Sequence, residues 1–134
     1  MKNLNILLIE DNAGDILLTR EAFEESPIRH ELRVIRDGSA AIAFFDDCNG
    51  SDVPDLVLLD INLPLKSGHE VLRYIKKCDK LTCMPVVMLT TSSSECDMLS
   101  AYKYYADGYL VKPIIIPELA ILLDRMTLHP RRIC

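Results

Sequence analysis

Three apolar runs in this chain each stop at a reactive side chain. Leu4-Asn5-Ile6-Leu7-Leu8-Ile9 stops at Glu10-Asp11, Leu56-Val57-Leu58-Leu59 at Asp60, and Tyr109-Leu110-Val111 at Lys112. A fourth run, Val86-Val87-Met88-Leu89, stops at the hydroxyls Thr90-Thr91. Apolar runs this short, followed by helical stretches, read as parallel strands buried on both faces. In such sheets ligands sit just beyond the carboxyl ends of the strands. Three carboxylates, a hydroxyl and an amine therefore converge on one crevice. Carboxylates held that close raise each other's pKa unless a cation joins them, so the crevice calls for a hard divalent metal.

The stretches between the runs complete an alternating pattern. Asn12 with Asp15 reads as a helix N-cap, with Ala13, Ile16, Leu17 and Phe23 on one inward face. Leu32-Arg33-Val34-Ile35 is the most polar strand candidate and suits a sheet edge. Asp37 caps a helix burying Ala41, Ile42 and Phe45. Ser67 and Glu70 form a capping-box pattern ahead of Val71, Leu72, Ile75 and Cys78. Ser94 with Asp97 starts a fourth helix, and Pro117 opens a fifth whose Leu119, Leu122, Leu123 and Met126 face inward. The order βαβαβαβαβα with right-handed crossovers predicts an α/β fold: a flavodoxin-like, doubly wound, five-stranded parallel sheet of order 2-1-3-4-5 with five helices. That order puts Glu10, Asp11 and Asp60 at its switch point.

At 134 residues the chain fits one domain, with a core at about 3–127 and a tail at 128–134, and a separate output domain is not expected. A net charge of −5 and no clustered basic face exclude a nucleic-acid footprint, Arg131-Arg132 reading as a solvated tail. The apolar start is cut by Glu10-Asp11, too short for a signal peptide, and no run approaches a membrane span; a cytoplasmic protein is expected. Cys48, Cys78, Cys83, Cys96 and Cys134 show no C-x-x-C spacing and read as reduced thiols. With His30, His69 and His129 scattered, neither a structural zinc site nor a Cys/His nucleophile pair is indicated.

Taken together, Leu8-Ile9-Glu10-Asp11-Asn12, Leu58-Leu59-Asp60-Ile61-Asn62-Leu63-Pro64, Gly68, Pro85-Val86-Val87-Met88-Leu89-Thr90 and Gly108-Tyr109-Leu110-Val111-Lys112-Pro113 resemble the receiver domain of two-component response regulators. The likeness runs over nearly the whole chain. It implies that Asp60 is the phosphoacceptor, charged by the phosphohistidine of a sensor histidine kinase. It implies a Mg²⁺ site, with Mn²⁺ able to substitute, made by Asp11 directly, Glu10 largely through water, Asp60 and the backbone carbonyl of Asn62. Lys112, Thr90 and the backbone amide of Thr91 would bind the phosphoryl group; Thr90 and Tyr109 would form the switch; and the Lys112-Pro113 bond would be cis. Glu10-Asp11-Asn12-x-Gly14-Asp15 and Val86-Val87-Met88-Leu89-Thr90-Thr91-Ser92 further resemble the stand-alone receivers that serve phytochrome-type kinases. Thr91 stands where Ala or Gly is more usual, and its branched side chain would crowd an attacking water.

Each of these residues has an ordinary reading alone: a solvated turn at Glu10-Asp11, a helix cap at Asp60, a surface Lys112, a core Tyr109. Their joint placement at strand ends favours the site. Two other functions compete, an aspartyl phosphohydrolase and a degenerate receiver used only for interaction; a flavin site is disfavoured by the acidic first turn. Tyr102, Tyr104, Tyr105 and Ile114-Ile115-Ile116 flank the fifth strand, so a homodimer through the fourth helix, fifth strand and fifth helix is expected.

Overall fold

The computed structural model describes residues 3–91 and 106–128. Five strands, β1 (Leu4–Ile9), β2 (His30–Ile35), β3 (Leu56–Asp60), β4 (Val86–Thr90) and β5 (Gly108–Val111), form one sheet in the order β2-β1-β3-β4-β5. Every pairing is parallel. Helices α1 (Ala13–Glu25), α2 (Gly38–Asp47), α3 (Gly68–Lys77) and α4 (Ile116–Leu128) cover it, with short 3-10 turns at Gly50–Asp52 and Asp79–Leu81. The helix expected near Ser94 falls outside the described residues, as do Tyr102, Tyr104 and Tyr105.

Alternate side chains of a strand point to opposite faces, and the sheet divides its apolar runs accordingly. Leu7, Ile9, Val57, Leu59 and Met88 pack with Phe45, Leu72 and Ile75 on the side of α2 and α3. Ile6, Leu8, Leu58, Val87 and Leu89 pack with Phe23 and Leu119 on the side of α1 and α4. Burial on both faces explains why β1, β3 and β4 read as unbroken apolar runs. β2, at the edge, is only partly buried.

The caps start the helices where their residue types dictate. Asn12 Oδ1 accepts from the Asp15 N–H at 2.9 Å, Asp37 Oδ1 accepts from the Ala40 N–H at 2.6 Å, and Ser67 and Glu70 make a reciprocal capping box. Pro117 is the second residue of its helix rather than the first. At the amino end of the sheet two aspartates tie strands together. Asp55 accepts from the Asn5 N–H at 2.8 Å. Asp107 accepts from the Val86 N–H at 2.8 Å and pairs with Lys76 at 3.1 Å, both side chains nearly buried.

Two expectations are corrected. The inward face of α1 carries Ile16, Thr19 and Phe23, while Ala13 and Leu17 are exposed. Thr19 tolerates burial because its hydroxyl donates to the Asp15 carbonyl at 2.9 Å. Cys48 and Cys78 are free thiols, but Cys83 is in a disulfide whose partner lies outside the described residues. Pairing depends on Cα separation in the fold, which cysteine spacing does not show. No helix among the described residues is long and apolar enough to cross a membrane.

Candidate functional site

The sheet's hydrogen bonding runs slightly past its strand ends and places the site there. The Glu10 N–H donates to Ile35 O at 3.0 Å, the Ile61 N–H to Leu89 O at 3.0 Å, and the Lys112 N–H to Thr90 O at 2.7 Å. Glu10, Asp60, Thr90 and Lys112 thus stand along one edge of the sheet. Glu10, Asp60 and Thr90 are buried, whereas Asp11 is exposed at the mouth.

Asp60 is held from behind by its own loop. The Asn62 N–H donates to Asp60 Oδ1 at 3.1 Å, and the Gly68 N–H donates to Ile61 O at 2.9 Å. A Cβ on Gly68 would lie 2.2 Å from the Asp60 carbonyl oxygen, so only glycine lets α3 start this close. Between them Leu65 has φ 71° in a tight turn closed by a hydrogen bond from the Lys66 N–H to Pro64 O at 2.8 Å. The loop after β2 leans on this turn: the Gly38 N–H donates to Pro64 O at 3.2 Å.

The Lys112 ammonium is the electrostatic centre of the site. It lies 2.5 Å from Glu10 Oε1, 3.0 Å from Asp15 Oδ2 and 3.2 Å from Asp60 Oδ2. Oxygens of Glu10, Asp11 and Asp60 also lie within 4.8 Å of one another, a spacing one cation can bridge. All are hard oxygen donors, suited to a hard divalent ion and unsuited to a soft one. Three carboxylates (Glu10, Asp15 and Asp60) surround one ammonium, and a fourth, Asp11, lies beside Glu10 and Asp60, so negative charge is in surplus around the lysine. That surplus favours bound protons. Burial, then the hydrogen bond and charge of Asp60, push Glu10 up to about 7 against the pull of Lys112. Burial would lower Lys112, but Glu10, Asp15 and Asp60 outweigh it and raise the ammonium above its ordinary value.

The structure brings together Glu10, Asp11, Asp60 and Lys112 as the strand ends imply. Thr90 ends β4 between Asp60 and Lys112 in the sheet order, and Thr91 follows it, exposed. Tyr109 is half-buried beside Met88 in register and packs on the core under α2 and α3. The Lys112-Pro113 peptide bond is cis. Two residues of the site were not singled out for it in the sequence. Asp15, expected as part of a cap and of the motif shared with the phytochrome-serving receivers, also pairs with Lys112; its place one helical turn after Asp11 was the available signal. Arg36 donates from Nη2 to the Asp11 carbonyl at 3.0 Å, a long-range contact that no local pattern announces.

Residues 6–124 match the model of the response regulator receiver domain. The chain belongs to that family. This receiver is 46% identical over 110 residues to the response regulator Rcp1 of Synechocystis sp., covering 80% of this chain and 75% of Rcp1. Among solved structures it is similar to the phosphorylated cyanobacterial phytochrome response regulator RcpA, with a TM-score of 0.75 and 37% identity over 95% of this chain and 94% of that one. The Mn²⁺-bound form of Rcp1 is similar at a TM-score of 0.73 and 37% identity, covering 98% of this chain and 97% of the other. The similarity to both structures extends over nearly the whole of this receiver, whose sheet has the order β2-β1-β3-β4-β5.

Proposed function

We propose that Asp60 of this receiver accepts a phosphoryl group from the phosphohistidine of a sensor histidine kinase, in a reaction that needs Mg²⁺. The observation that carries the reading is the Lys112 ammonium 3.2 Å from Asp60, beside three carboxylates at metal-bridging distance. Glu10, Asp11, Asp60 and the Asn62 carbonyl would hold the ion. When bound, it offsets the negative charge of a carboxylate meeting an anionic phosphoryl group. The Mn²⁺-bound form known for Rcp1 supports a divalent ion, and the choice of Mg²⁺ follows from the all-oxygen donor set.

In the transfer an Asp60 oxygen forms a bond to phosphorus as the phosphorus–nitrogen bond to the donor histidine breaks, its electron pair staying on the imidazole nitrogen. Lys112 meets the phosphoryl oxygens with its charge, Thr90 with its hydroxyl and Thr91 with its backbone amide. Thr90 and Tyr109 then form the switch: drawing the Thr90 hydroxyl toward the phosphoryl group changes the space open to the Tyr109 ring. Water later hydrolyses the acyl phosphate, so the protein promotes only its own phosphorylation and dephosphorylation. The kinase is of the phytochrome type, on the strength of RcpA and Rcp1, and the receiver works in the cytoplasm. It signals as a homodimer through the face of β5 and α4, where Val111, Ile115 and Ile121 are exposed.

The test is labelling with acetyl phosphate and with a phytochrome-type kinase. One phosphoryl group per chain is expected, lost in Asp60→Asn and in excess chelator. A stoichiometric label in Asp60→Asn would overturn the assignment, and steady turnover of small phosphate esters would favour a phosphohydrolase instead.

A further inference from the structure

Asp15 lies outside the trio of carboxylates that a cation would bridge, yet its Oδ2 is 3.0 Å from the Lys112 ammonium. It is built in from both directions. Its N–H donates to Asn12 Oδ1, its carbonyl accepts from the Thr19 hydroxyl, and the Asn12 N–H in turn donates to Glu10 Oε2 at 3.3 Å. The first turn of α1 therefore holds this carboxylate at the lysine.

An ammonium has three N–H donors. Here three carboxylates surround it, Glu10, Asp15 and Asp60. Two of these belong to the set a divalent ion would use. We infer that Asp15 is a positioning residue for Lys112, a third carboxylate on which the ammonium stays when a divalent ion takes Glu10 and Asp60. This rests on the divalent-ion reading given above. Once an ion holds Glu10 and Asp60, Asp15 is the carboxylate that still anchors the lysine. Without Asp15 the lysine's remaining partners are the ion's own ligands, and lysine and ion compete for the same oxygens.

Calorimetric titration of Mg²⁺ into the full chain, with no phosphodonor present, tests this as a double-mutant cycle. Asp15→Asn should weaken Mg²⁺ binding by about fivefold, a coupling ordinary for groups in contact, and Asp15→Glu should restore it. Lys112→Ala should tighten binding. In the Lys112→Ala background Asp15→Asn should change the affinity by less than about twofold, because Asp15 acts through the lysine. Equal weakening in both backgrounds, or none in the wild-type background, would overturn the inference. If Lys112→Ala does not fold, as judged by circular dichroism, Lys112→Met keeps the stem and serves the same cycle. Absence of Mg²⁺ binding in the wild type would instead sink the divalent-ion reading itself.

Discussion

Removing the charge of Glu10 should make the metal-free receiver more stable at high pH while leaving it unaltered at low pH. Glu10 is 1% exposed, and its carboxyl is raised from 4.5 to about 7 by burial and by Asp60. A raised carboxyl means that the folded state binds this proton more tightly than the unfolded chain does. The stabilisation is therefore complete below about pH 4.5 and is lost as the pH rises through about 7. At roughly 1.4 kcal/mol per tenfold in proton affinity, the loss amounts to about 3 kcal/mol between those limits. Glu10→Gln is neutral at every pH and keeps the shape of the side chain, so it escapes that loss. Urea unfolding followed by circular dichroism, in chelator, at pH 5, 6, 7 and 8, gives the comparison. We expect the two proteins to agree near pH 5 and the variant to be more stable by about 2–3 kcal/mol at pH 8. Saturating Mg²⁺ should recover much of the wild-type deficit at pH 8 and do less for the variant. Parallel stability profiles in chelator would refute the account of a proton-hungry, overcharged crevice.

Gly68→Ala should cost about 2 kcal/mol or more in thermal or urea unfolding, because its Cβ would meet the Asp60 carbonyl at 2.2 Å, and should also slow labelling of Asp60. Asp107→Ala should cost about 3–5 kcal/mol, because it removes both the nearly buried ion pair with Lys76 and the acceptor of the Val86 N–H, whereas the double change Asp107→Ala with Lys76→Met should recover part of that loss in the same assay. Leu65→Gly should stabilise the protein by about 1 kcal/mol, since φ 71° is unfavourable for leucine and its side chain is 78% exposed; an unchanged urea midpoint would contradict this. Sedimentation at tens of micromolar, with and without beryllofluoride, should show a dimer strengthened by the phosphoryl mimic and weakened by Ile121→Asp on the exposed face of α4.

Most of the sheet was legible because burial on both faces leaves a strong mark: a strand such as β3 has nowhere to put a polar residue until Asp60. Capping was legible for the opposite reason, since Asn12, Asp37 and Ser67 act within three residues of themselves. What could not be read depends on distance in space. The Arg36 contact to Asp11 joins residues 25 apart, and the Asp15 contact to Lys112 joins residues 97 apart. Thr19, an inward polar residue on α1, was missed because an apolar-face argument cannot foresee a hydroxyl satisfied by the helix's own backbone. The disulfide of Cys83 belongs with these, as a pairing set by the fold rather than by spacing.

The sheet order separates β5 from β1 by two intervening strands, so Lys112 must reach over the ends of β4 and β3 to touch Glu10. Three strand spacings amount to about 14 Å. A four-carbon stem supplies about 6 Å, and the glutamate side chain and the hydrogen bond cover the rest. An aspartate at position 10 would be one methylene shorter, and the lysine would then rest on Asp15 and Asp60 instead. Side-chain length at the two ends of this bridge thus decides whether the outermost strand of the site can touch the first one across the sheet.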